Sequence, residues 1–222
     1  MRKEKMPSDS KALELALFPL PDVVLFPGCL LPLHIFEPRY REMIADCLDN
    51  DTSFGILNVD PQTREPAIIG CSADILEVQK LPDGRMNILT IGRNRFRVLD
   101  YKYDKSYLIG IIEWIEDRDI EEEGDELDVL AKQMRQLLQD VVRLSAKLAN
   151  KTVEFPDDLP TAPQELSFWV AGSFPGLPEE QQSLLEMRAT SARLKRETEI
   201  LASAAKQLAA RTALKDAFGG SE

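Results

Sequence analysis

Residues 15–40 read LALFPLPDVVLFPGCLLPLHIFEPRY, and this stretch decides the fold. Phe18, Val23, Val24, Leu25, Phe26, Leu30, Leu31, Leu33, Ile35 and Phe36 are packed among five prolines. Proline lacks an N–H and kinks a helix interior, so the run is neither one helix nor a membrane span. The apolar pieces between prolines have the length of strands, and Pro27-Gly28 marks a turn. Two or three short buried strands are expected here, followed by a helix after Pro38. The rest of the first half must then wrap around them.

Working outward, Pro38 sits in the first turn of the next helix, where a missing N–H costs nothing. Tyr40, Met43, Ile44, Cys47 and Leu48 share one face of it at helical spacing. Ser53 to Val59 reads as a strand, and 60–66 as an exposed loop. Ile68 to Leu81 and Arg85 to Ile91 flank Pro82-Asp83-Gly84, where proline presets φ and glycine accepts a positive φ. Arg95 to Val98 alternates polar and apolar, and Leu108 to Ile115 reads as a strand buried on both faces. Short strands joined by turns, with one helix, suggest a compact barrel-like sheet.

The acidic run 116–126 marks a boundary. Beyond it Leu127, Leu130, Met134, Leu137, Val141, Leu144 and Leu148 recur at steps of three and four, one amphipathic helix. Gln164 to Phe174 and Glu179 to Met187 follow as short helices, and a long one runs from Thr190 to about Phe218. The expected organisation is α+β: a tail over 1–12, a β-barrel domain over 13–118, a linker over 119–124, a helical domain over 125–218 and a tail over 219–222.

The motifs FPL (18–20), LFPG (25–28), LPL (31–33) and IFEPRY (35–40), with Gly70, PDGR (82–85) and GRNRF (92–96), resemble the Lon N-terminal domain family, the substrate-binding part of ATP-dependent proteases. The similarity is dense to about Asp117 and thinner beyond. It implies a PUA-like barrel followed by a helical bundle, and recognition of exposed apolar or unfolded segments of other proteins. In Lon proteases the ATPase and Ser–Lys peptidase domains follow this domain. No phosphate-binding loop or nucleophile elbow occurs in the 222 residues, so a free-standing, non-catalytic module is expected. An adaptor role in quality control or assembly follows, with any protease or chaperone a separate polypeptide.

Composition narrows the alternatives. The net charge is −11, with −4 on residues 1–118 and −7 on the rest, so neither half offers the basic excess a phosphate backbone favours. Three widely spaced cysteines fit free thiols in a reducing compartment, and with no leader or membrane-length run the expected location is the cytoplasm. Cys29, Cys47, Cys71 and His34 lack the close pairing of zinc ligands, so no metal and no cofactor is expected. His34, the only histidine, reads as a structural strand residue.

Two candidate surfaces remain. Phe168, Trp169 and Phe174, with Met43 and Met134 as adaptable contacts, could line an apolar groove where barrel and bundle join; the competing reading of each is ordinary core. Arg93, Arg95 and Arg97 are spaced by two on one strand and could meet an acidic partner or RNA. The acidic total favours a structural role for them, with Glu37 a possible partner of Arg95. An RNA-binding protein and a subunit docked on one partner stand as the rival functions.

Overall fold

The computed structural model describes residues 13–118, 124–153, 155, 159–174 and 176–219. The first tail, all of the second but Gly219, and most of the acidic linker, as drawn from the sequence, lie outside these residues. Contacts divide the chain into two compact units. The first comprises the chain up to Leu25 together with Leu30–Ile115; the second comprises Phe26–Cys29 and everything from Glu116 onward.

The first unit is built from β1 (Leu13–Pro21), β2 (Leu30–Ile35), α1 (Pro38–Asn50), β3 (Phe54–Val59), β4 (Ile69–Lys80), β5 (Met86–Lys102) and β6 (Leu108–Ile115). The six strands form one sheet in the order β2-β5-β4-β3-β1-β6. β6 pairs antiparallel with β1 and also with the second half of β5, so the ladder returns on itself. β1 and β3 are the parallel pair. The segments 85–91 and 95–98, separate in the sequence reading, are one 17-residue strand. Its first half pairs with β2 and its second half with β6, which only a strand that long can do.

Leu15, Leu17, Leu57, Phe96, Val98 and Ile112 form one core cluster of this unit. Phe96 and Leu17 fill it because glycine gives them room. A Cβ on Gly70 would stand 2.2 Å from the Ile56 carbonyl oxygen, and one on Gly55 would stand 2.6 Å from the Phe96 ring. β6 is not buried on both faces as its composition suggests: Glu113 and Trp114 are exposed. In a ladder that closes on itself one side of each strand faces outward, whatever its apolar content. α1 begins on Pro38, buries Tyr40, Met43, Ile44 and Cys47, and ends on Asp51 in the left-handed region.

The second unit contains α2 (Gly124–Leu148), α3 (Pro163–Gly172), α4 (Pro178–Glu186) and α5 (Thr190–Gly219). α2 packs chiefly on α5, burying Ala131, Met134 and Leu138 along its seam. Pro163 and Pro178 open α3 and α4 at positions where no intrahelical N–H is needed. Phe26 is fully buried, its ring centroid 6.4 Å from that of Phe168 on α3. The Cys29 thiol donates to the Phe168 carbonyl at 3.6 Å and lies against Gly172. Four residues from the N-terminal part thus belong to the helical unit.

Candidate functional site

On the β unit, β2, the first half of β5 and the second half of β4 extend past the point where β3 stops pairing. β3 meets β4 only over Cys71–Ala73. Across the extension the register sets His34 opposite Asn87 and Asn87 opposite Gln79. His34 Nδ1–H donates to Asn87 Oδ1 at 2.7 Å, and Asn87 Nδ2 donates to Gln79 Oε1 at 3.0 Å. His34 is therefore a cross-strand structural residue on an exposed surface. The same strands and the residue after β2 carry exposed apolar side chains: Leu30 (59%), Phe36 (60%), Leu76 (48%) and Val78. Phe36 stacks on His34 with centroids 6.1 Å apart. Sequence pattern alone did not single these residues out, because Leu30 and Phe36 read as members of a buried run.

Beside the extension, a pocket of about 390 Å³ opens between the end of α1 and β4. Its lining includes Asp74, whose carboxylate accepts from Ser53 Oγ at 2.5 Å and from Arg93 Nε at 2.6 Å. Partial burial pushes the Asp74 carboxyl up, but these two donors outweigh it and hold the group below its ordinary value. Asp46 on α1 accepts from Lys105 Nζ and Tyr107 Oη, both at 2.6 Å, which lowers its pKa and ties the 103–107 loop to the helix.

The three arginines do not form a basic face. Arg93 is paired with Asp74, Arg97 with Glu113 at 3.1 Å, and Arg95 is buried. Glu37 receives Arg39 at 2.8 Å. Cys29, Cys47 and Cys71 are free thiols, Cys29 pushed up to about 11 by burial. Among the described residues no three His, Cys, Asp or Glu side chains gather as metal ligands.

Of the five apolar candidates, Met43 and Met134 have no exposed surface, Phe168 and Phe174 are buried, and Trp169 is half-buried. The Phe168 ring instead supports a charged cluster inside the helical unit. Arg193, fully buried, lies with its guanidinium carbon 4.0 Å from the ring centroid. It donates to Asp117 Oδ2 at 2.8 Å, to Ser167 Oγ at 2.5 Å and to the Met187 carbonyl at 3.1 Å. Ser167 in turn donates to Glu197 Oε1 at 3.0 Å. Burial pushes the Glu197 carboxyl up to about 8, against the pull of Arg193 and Ser167. Neither Arg193 nor Glu197 stood out in the sequence, since a charge within a long amphipathic helix reads as solvated.

With this geometry in hand, comparison with known proteins settles the family. The model of the ATP-dependent protease La (LON) substrate-binding domain matches residues 14–203. The chain belongs to the Lon substrate-binding domain family. It is 27% identical over 193 residues to the Lon protease of Anaeromyxobacter dehalogenans, covering 84% of this chain and 23% of that protein. For the Lon protease of Escherichia coli K12 the identity is 25%, over 85% of this chain and 24% of the relative. The chain thus spans about a quarter of the length of the Lon proteases it matches, and the family match is to their substrate-binding domain. Among solved structures, the Lon N-terminal domain protein from Xanthomonas campestris aligns with a TM-score of 0.59 at 25% identity, over 83% of this chain and 96% of that one. The N-terminal domain of the Mycobacterium avium complex Lon protease shares the fold: TM-score 0.64, 17% identity, 87% and 98% coverage.

Proposed function

We propose that this chain binds polypeptide segments and performs no chemistry on them. The observation that carries the reading is the family match across residues 14–203, to a domain defined by substrate binding. Support comes from the β-sheet extension, where Leu30 and Phe36 at β2 and Leu76 and Val78 on β4 keep apolar surface in water. Such side chains gain by covering one another with an apolar partner, at about 25 cal/mol per Å² removed from water. The self-closing ladder is, in this reading, a PUA-like barrel that holds the extension rigid. Arg93 and Arg97, each spent on a carboxylate, weigh against an RNA interface.

In this reading the module acts as an adaptor, handing segments to a protease or chaperone on another polypeptide. The three free thiols fit a cytoplasmic setting. Titration of the full chain with reduced, carboxymethylated α-lactalbumin and with the native protein tests the proposal. Binding of the unfolded form alone, with no hydrolysis of ATP or casein, is the expected result. Equal affinity for both forms would overturn it.

A further inference from the structure

Resting on that reading, the backbone of the extension specifies how a segment would be held. At the turn after β4, the Leu81 N–H donates to the Arg85 carbonyl at 2.8 Å and Gly84 N–H to the Leu81 carbonyl at 3.0 Å. Leu81 and Arg85 therefore form a hydrogen-bonded pair, and such pairs alternate along an antiparallel ladder. Counting back by twos, Gln79 and Glu77 bond to Asn87 and Leu89. Val78 and Lys80, opposite Ile88 and Met86, turn their N–H and C=O away from β5. Beyond Ala73 none of the described strands covers that side of β4.

The far edge of the extension checks the parity. Ile88 and Met86 must point to β2, where Leu33 and Ile35 face them. The outward positions on β2 are then Leu30, Pro32 and His34. Pro32, with no N–H to offer, falls on the outward side, where proline is tolerated in an edge strand. That proline blunts the β2 edge. The β4 edge carries no such interruption: Val78 and Lys80 present donors and acceptors at the spacing of a strand. Leu76 and Val78 flank them with exposed apolar side chains, and a bulge between Ile75 and Glu77 bounds the site.

We propose that the outer edge of β4, Leu76–Lys80, takes up one extended strand of a polypeptide substrate, hydrogen-bonded to the backbone of Val78 and Lys80. An extended peptide backbone is the partner that repeats N–H and C=O at this period, and strand addition is a known mode of peptide capture. The apolar side chains of the incoming strand that face Leu76 and Val78 would set its preference.

Amide hydrogen exchange on the full chain reads the proposal directly. In the free protein the Val78 and Lys80 amides should exchange fast and those of Glu77 and Gln79 slowly. Saturation with a capped decapeptide of alternating Val and Thr should slow Val78 and Lys80 alone. Val78→Pro removes an outward donor without touching the β5 ladder, as Pro32 already does on β2, and should weaken that peptide about tenfold at unchanged melting temperature. Lys80→Pro, and a peptide N-methylated at alternate residues against the unaltered protein, give the same reading should Val78→Pro not fold. Binding of unfolded α-lactalbumin and the decapeptide with no change at Val78 or Lys80 overturns strand addition alone. Absence of any binding overturns the polypeptide-binding reading beneath it as well. Concentration-dependent protection of these amides without peptide would assign the edge to a second copy and overturn the proposal.

Discussion

The two units keep their order by different means. In the β unit the cluster around Phe96 is apolar, and the pairs Arg93–Asp74 and Arg97–Glu113 stay partly in water, although Arg95 between them is buried. In the helical unit Arg193, Asp117 and Glu197 are buried together among α3, α5 and the segment that follows β6. The sheet that closes on itself is specified by shape: Gly55 and Gly70 leave room for the Phe96 ring, which a Cβ at either position would meet. Helices that can slide along one another gain register from directional hydrogen bonds, which an apolar seam does not supply.

Breaking the buried cluster should show the largest effect. Arg193→Ala leaves the Asp117 carboxylate desolvated without its cation, at a cost of roughly 3–5 kcal/mol. Urea unfolding followed by hydrogen exchange should show the loss in α3 and α5, with protection in β1 and β3 retained. A β unit that loosens equally would contradict the division of labour.

Gly70→Ala attacks the other principle. Its methyl group would collide with the Ile56 backbone oxygen, and overpacking of this kind costs about 3 kcal/mol. Here the loss should fall on the strands, and Phe96→Leu in the same chain should recover part of it, because Phe96 also presses on the added carbon.

The smallest effect sharpens the comparison through pH. The Glu197 carboxyl is raised to about 8, so between its unfolded value near 4.5 and pH 8 the folded state holds a proton the unfolded state has lost. Stability must therefore fall as pH rises through that window. Glu197→Gln, which mimics the protonated acid, should match the unaltered protein near pH 5 and exceed its melting temperature above pH 8. Parallel pH profiles for the two proteins would show that Glu197 is ionised in the folded state.

Local pattern reached far in this chain. Proline positions, the Pro82-Asp83-Gly84 turn and three-to-four spacing located the helices and the strands other than β5 to within a few residues, because each depends on backbone geometry of neighbouring residues. The family was legible for a related reason: the LFPG, IFEPRY and GRNRF segments occur in order along the chain, as a turn, the end of β2 with the start of α1, and the middle of β5. The surface was less legible. Met43 and Trp169 look alike as contact candidates in sequence, yet the first sits on the buried face of α1 and the second is half-exposed. Leu30 and Phe36 sit in an apolar run and still face water.

The sequence by itself determined most of the elements, the α+β class and the family, since hydrophobic period and turn chemistry act over a few residues. Only the tertiary structure decided that Phe26–Cys29 completes the helical unit, that β5 continues unbroken to close the ladder, that Arg95 is buried and Arg93 and Arg97 meet carboxylates, and that no described strand pairs with the outer edge of β4 beyond Ala73. Burial, ion pairing and edge exposure are set by residues distant in the chain, and no local pattern records which distant residue arrives.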